Sequence, residues 1–202
     1  MATRPSSTTT ERGRRVRSAC AAVVIAVVHC AGAPGRAWAG AAEDEAKILL
    51  RALSFDRALA ARAGSEVVIS VVYDARTSNG EGERDGRVHA FRKLAHRTIA
   101  GRPMRVISSD CSPPTRMDEA LRGVDIVYVA RGAKDCVRAV TAATRKLGIA
   151  SLASERSLVE QGVTLGVTIE SSRPKLHVNL KASKAEGLDL TSQMLQLAEV
   201  IK

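Results

Sequence analysis

Residues 66–73, Glu-Val-Val-Ile-Ser-Val-Val-Tyr, constrain the fold more than any other segment. A nearly continuous β-branched run suits a strand covered on both faces, as the strands of a parallel sheet are. Helical periods flank it. Ahead, Ala46, Leu49, Leu50, Leu53, Leu59 and Ala60 recur at three- and four-residue steps, predicting one amphipathic helix over 43–62 that Gly64 stops. Behind, 74–85 reads as a polar, mobile surface loop. A helix over 86–100 follows, with Val88, Phe91, Leu94, Ala95 and Ile99 on one side.

The alternation continues. Strands are expected at 105–109, 125–130 and 149–153, with short helices at 117–122 and near Ser154 to Leu158 and a longer one over 134–146. Strands separated by helices of this length imply βαβ units and a mainly parallel sheet with helices on both faces. The pattern then changes, because 163–169 and 175–179 are separated by only Glu170-Ser171-Ser172-Arg173-Pro174. That linker is long enough for a hairpin and too short for a crossover. The expected fold is therefore α/β, finished by a C-terminal antiparallel hairpin, a short helix at 181–187 and a terminal helix at 191–201.

The amino terminus reads as a cleavable export leader. Arg12, Arg14, Arg15 and Arg17 precede an apolar run over 19–33 broken only by His29, and Ala37-Trp38-Ala39 supplies the small-x-small cleavage pattern. The run is shorter than the roughly 20 residues that cross a bilayer, which argues against an anchor. Neither Cys20 nor Cys30 follows a lipoprotein box, and Arg14-Arg15 lacks the apolar residues of a twin-arginine signal. The expected domains are a signal peptide, 1–39, and one α/β domain, 40–202, that works in the periplasm with no segment inserted in the membrane.

The formal charge of +10 raises a nucleic-acid reading. Six of the 31 basic and one of the 21 acidic residues precede Gly40, however, leaving 25 and 20 and a net charge of +5. Those charges are scattered, and two Phe with two Tyr offer no stacking platform for single strands. No nucleic-acid partner is expected. Beyond the leader only Cys111 and Cys136 remain. In an oxidising compartment they read as one disulfide joining two loops at the carboxyl edge of the sheet, with two unpaired buried thiols as the alternative.

Motifs that would carry chemistry are few in this chain. Gly80-Glu81-Gly82-Glu83-Arg84-Asp85-Gly86 follows a strand, but its spacing misses the dinucleotide fingerprint and its carboxylates stand where a pyrophosphate would need N–H groups. His89 and His96 are two turns apart on one expected helix, too far to share a metal, and read as surface residues. No catalytic residue, cofactor or metal site is expected. An enzyme would need a set that spacing conceals, such as His177 meeting Ser109 in space. A second reading is a small-ligand receptor, because an open parallel sheet has a crevice at the carboxyl ends of its strands. Tyr73, Asp74, Ser109 and Arg131 would lie at that edge, with plain loop surface as the alternative.

The carboxy-terminal block carries a resemblance. Ser151-Leu152-Ala153-Ser154-Glu155, the glycine-led Gly162-Val163-Thr164-Leu165-Gly166-Val167, Leu176-His177-Val178-Asn179-Leu180 and the stretch from Ala185 to Ala198 are together similar to the YfiR family of small periplasmic proteins. Asn179, Gly187, Leu188, Ser192, Gln193, Leu195, Leu197 and Ala198 carry the match. The chain departs from it at Leu53-Ser54-Phe55-Asp56-Arg57, where the family has an aromatic-rich helix end, and at Val124, where a cysteine is common. The resemblance implies a non-catalytic regulator that binds the periplasmic part of an inner-membrane signalling protein, a diguanylate cyclase or similar, and so acts on cyclic-di-GMP signalling. It leaves a homodimer open. Asn179 reads as the cap of the following helix.

Overall fold

The computed structural model describes residues 35–170 and 173–201. The expected leader lies outside these residues except for 35–39, which open the first helix, α1 (Gly35–Leu53). Val67–Tyr73 forms β1, buried at every position before Tyr73. Its side chains alternate between two cores: Val67, Ile69 and Val71 enter one, Val68 and Val72 the other.

Around β1 the strands β2 (Met104–Asp110), β3 (Ile126–Val129), β4 (Ala150–Ala153), β5 (Leu165–Glu170), β6 (Arg173–Asn179) and β7 (Ala198–Ile201) build one sheet in the order β2-β1-β3-β4-β5-β6-β7. All neighbours are parallel except β5 and β6, which form the expected hairpin with Leu165 opposite Val178. Helices α1 and α3 (Gly80–Lys93) cover one face through Leu49, Leu53, Ala90 and Phe91. On the other, α4 (Met117–Ala120), α5 (Val137–Leu147) and α6 (Arg156–Glu160) contribute Met117, Val137, Val140 and Leu158. Gly148 ends α5 at φ +68°, in the left-handed region that glycine enters without strain. Short 3-10 segments at Pro114–Arg116 and Arg131–Cys136 lead into α4 and α5.

Three helix expectations are corrected. The single helix over 43–62 is two, α1 and α2 (Leu59–Arg62), parted at Asp56. The buried Asp56 carboxylate accepts from the N–H of Ala58 (3.0 Å) and of Asp189 (2.9 Å), bonds that an uninterrupted helix would not allow. The helix placed over 86–100 spans Gly80–Lys93 instead, so the glycine-bearing segment is its first turns and not a loop. The terminal helix is confined to α8 (Ser192–Leu197), capped by Thr191, and the last residues form β7 beside β6. Between the hairpin and α8 lies α7 (Leu180–Ala185), where Asn179 accepts from the N–H of Ala182 at 2.9 Å as expected of a cap.

Candidate functional site

Because β1 connects to β2 on one side and the chain then crosses to β3 on the other, strand order reverses between β1 and β3. In open α/β sheets the loops leaving the carboxyl ends at such a point diverge and leave a crevice. Here it is a cleft of about 770 Å³, walled by Thr77, Ser78 and Asn79 after β1, by Gly82, Glu83 and Gly86 of α3, by Arg131, Gly132 and Lys134 after β3, and by Ala42 and Glu155.

The walls are held from below by buried charge. Arg87 of α3 and Glu45 of α1 are each 5 % exposed and form an ion pair. Arg87 also lies over the Tyr128 ring, 5.1 Å from its centroid, and reaches Ser154 Oγ at 3.3 Å. The Tyr128 hydroxyl (2.9 Å) and Arg131 Nε (3.2 Å) donate to the same oxygen. Burial pushes the Tyr128 hydroxyl up to about 12, so it stays a proton donor at any physiological pH. Arg131 further approaches Glu45 and Glu155 at 3.6 Å each. Two guanidiniums thus converge on one hydroxyl at the end of β4.

The acidic glycine segment has a local function. Glu83 accepts from the backbone N–H of Arg131 (2.7 Å) and of Gly132 (2.9 Å), tying the first turns of α3 to the segment after β3. At Gly80 a Cβ would stand 2.0 Å from the Asp74 carbonyl oxygen, so only glycine allows α3 to start so close to β1.

The four residues expected at the ligand edge separate. Arg131 lines the cleft. Tyr73 is half-buried, its hydroxyl accepting from Arg84 at 3.2 Å while the guanidinium lies 4.9 Å from the ring centroid. Asp74 is buried and turned to Arg76, whose side chain and N–H hold its carboxyl below the ordinary range. Ser109 does not reach the cleft; its hydroxyl bonds Ser70 across β1 and β2 at 2.9 Å. Ser109 and His177 lie on β2 and β6 with four strands between them, roughly 24 Å at ordinary strand spacing. His177 is buried, 2.9 Å from Thr168 Oγ1 and 3.3 Å from Glu199, and burial lowers its pKa. His89 and His96 are exposed.

Cys111 and Cys136 form a disulfide with Cα atoms 6.1 Å apart. It does not join neighbouring strands, since β1 lies between β2 and β3, and it passes beside Asp74 over the end of β1. With both sulfurs bonded to each other, the trio of Asp74, Cys111 and Cys136 has no thiolate to offer a metal.

Sequence reasoning missed Glu45, Arg87, Tyr128 and Ser154. A signal existed for two of them. Arg87 shares helical spacing with Phe91 and Leu94, and Glu45 with Leu49 and Leu53, so each charge sits on a stripe that faces the core.

The YfiR/HmsC-like family profile matches residues 45–199, nearly the whole described chain. No curated protein matches the chain in sequence. Among solved structures, a conserved domain protein from Vibrio cholerae O1 biovar El Tor superposes with a TM-score of 0.58 at 12% identity, covering 80% of this chain and 60% of that one. CD0873 from Clostridium difficile, a substrate binding protein with adhesive properties in its ligand-free, open structure, gives 0.53 at 18% identity, covering 72% and 57%. The ABC domain from Streptococcus pneumonia in complex with L-Trp gives 0.54 at 15%, covering 79% and 62%. At these identities the likeness is one of fold, and this chain spans about three-fifths of each. Among the described residues no helix is long and apolar enough to cross a membrane.

Proposed function

The chain belongs to the YfiR/HmsC-like family, which supports a periplasmic regulatory role in general, and from that premise we propose that it is a non-catalytic regulator binding the exported sensor part of a membrane signalling protein, such as a diguanylate cyclase. The observation that carries this reading is the extent of the family match, which takes in strands β1 to β6, the start of β7 and nearly all of both cores. Within the described residues, the serine and histidine that sequence could have paired stand at opposite sides of the sheet. The test is capture from solubilised membranes with the exported protein as bait. Recovery of a signalling receptor through its periplasmic part is expected; repeated recovery of none overturns the proposal.

A second reading rests on the cleft at the end of β1 and β3, whose volume falls within the range of small-molecule sites. A bound solute there would contact Arg131 and the 77–79 loop and change how the α1 and α3 side of the molecule presents itself to a partner. A thermal-shift screen of periplasmic solutes tests it. Stabilisation lost on Arg131→Ala supports the reading, and the absence of any stabilising solute removes it.

A further inference from the structure

A second cleft, of about 500 Å³, lies away from the first, between the end of α1, the turn after α3 and the start of β2. Its floor is apolar: Leu50, Leu94, Ile99 and Met104 are all buried members of the α1-side core and all reach its surface. Its rim is cationic, with Arg51 from α1 and Arg97 from the turn, and no acidic side chain lines it. Lys47, also on the rim, is committed to Glu43 (3.1 Å) and Asp44 (3.3 Å). Among the described residues, Arg51 and Arg97 have no carboxylate within ion-pair distance.

The ends of two helices account for part of this positive charge, since the carboxyl termini of α1 and α3 each carry about half a negative charge. Two guanidiniums exceed that by about one full unit. The backbone turn that follows Arg97 is braced. Ile99 and Arg102 exchange backbone hydrogen bonds at 3.0 and 2.9 Å around Ala100 and Gly101, both at positive φ, and the Arg102 guanidinium is fixed on the carbonyls of Ala60 (2.9 Å) and Gly64. An apolar floor with surplus positive charge on its rim, beside a braced turn, matches a ligand with an apolar body and an anionic head.

We propose that this cleft binds a small amphiphilic anion, its carboxylate or phosphate head between Arg51 and Arg97 and its apolar body on Leu50, Leu94, Ile99 and Met104. The head pairs with guanidiniums that otherwise face water, and the body removes apolar surface from it. The site is independent of the partner and of the first cleft, so failure of either reading above leaves it standing.

The experiment is calorimetric titration of the exported protein with decanoate and dodecyl phosphate below their micelle concentrations, decanol as the uncharged control, and co-sedimentation with phosphatidylglycerol vesicles. The anions bind and decanol binds more weakly. In Arg51→Gln/Arg97→Gln, affinity falls at least about tenfold, as loss of charge-assisted hydrogen bonds requires, while melting temperature and circular dichroism are unchanged. Variant-sensitive binding of the soluble anions identifies a free amphiphile; variant-sensitive binding of vesicles alone identifies a bilayer lipid as the source of the same headgroup chemistry. Undiminished binding in the double variant, equal binding of decanol, or no binding of any probe overturns the proposal.

Discussion

The Glu186 carboxylate accepts hydrogen bonds from both the backbone N–H (2.9 Å) and the hydroxyl (2.6 Å) of Ser151. Thr164 Oγ1 (2.5 Å) and Thr144 Oγ1 (2.7 Å) complete its shell, so one side chain after α7 ties together α5, β4 and the start of β5. It is fully buried, and among the described residues no cation pairs with its carboxylate. Truncation to Ala leaves a cavity and three inward donors without an acceptor, Thr144 alone having the Thr141 carbonyl to turn to, at a cost of about 3 to 5 kcal/mol. Glu186→Gln keeps the shape and two acceptor positions and loses much less. Urea unfolding of the two variants measures the difference.

The same carboxyl gives a pH signature. Burial raises its pKa above the ordinary 4.5, against the lowering effect of the hydroxyls. A carboxyl raised in the native state favours the folded form while protonated, so this contribution is full below pH 4.5 and is lost as pH rises through the elevated native value. Thr144 permits the protonated state: its one proton can turn to the Thr141 carbonyl at 3.2 Å, leaving its oxygen to accept from Glu186. Unfolding free energy of the wild type minus that of Glu186→Gln therefore declines as pH is raised above 4.5. A difference that is flat or rises with pH contradicts this assignment.

Legibility followed the range of the interactions. β1 and β3 were readable because burial on both faces demands a continuous apolar run, and the β5–β6 hairpin because a five-residue linker excludes a crossover. Asn179 was readable as a cap because capping is local. Asp56 looked like one more helical residue because its partners Arg62 and Asp189 are set by the tertiary fold, the second of them at the far end of the chain. The 80–86 segment read as a loop because three glycines disfavour helix in isolation; Glu83 reverses that by anchoring its first turns to backbone 48 and 49 residues away. Of the first cleft, only Arg131 was legible, since its floor is a charge pair between two helices whose contact no local pattern records.

That pair is testable by a double-mutant cycle. Glu45→Leu strands the Arg87 guanidinium in the core and costs about 3 to 5 kcal/mol, whereas Arg87→Met leaves Glu45 with Arg131 at 3.6 Å and costs less. The combined change restores charge balance and costs clearly less than the two together. Additive losses in urea unfolding would mean that the pair is not coupled.

Two glycines of α3 should respond in opposite directions. At Gly86 a Cβ meets nothing within 4 Å, so Gly86→Ala lowers the entropy of the unfolded chain and stabilises by about 0.5 to 1 kcal/mol. At Gly80 the Cβ lies on the Asp74 carbonyl oxygen, and Gly80→Ala destabilises by at least about 1 to 3 kcal/mol. Thermal unfolding of both variants reads the sign directly.

The disulfide closes a loop with a sequence separation of 25. On the chain-entropy argument, Cys111→Ser/Cys136→Ser lowers stability by about 3 to 4 kcal/mol. Reduction of the wild type gives a similar loss, measured as a shift in urea midpoint with and without a reductant.

Asp56 is the point at which the two ends of the described chain are joined. One carboxylate oxygen accepts from the N–H of Ala58 and of Asp189, the other pairs with Arg62 at 2.7 Å, and Arg62 continues to the Gly187 carbonyl at 2.7 Å. Backbone bonds between Arg57 and Asp189 (3.0 Å) and between Thr191 and Phe55 (3.2 Å) run alongside. Asp56→Ala removes the acceptor for two backbone donors and a largely buried guanidinium together, a loss of about 2 to 4 kcal/mol. Its effect is expected to be local before it is global. Amide exchange should accelerate first in 187–201, because α8 and β7 lie at the edge of the sheet and are held by this junction, by Met194 in the core, by β6 and by the Arg156–Glu199 ion pair (2.6 Å), while β1 and β3 retain their protection until global unfolding. Uniform acceleration across the sheet would show that the junction is part of the main cooperative unit.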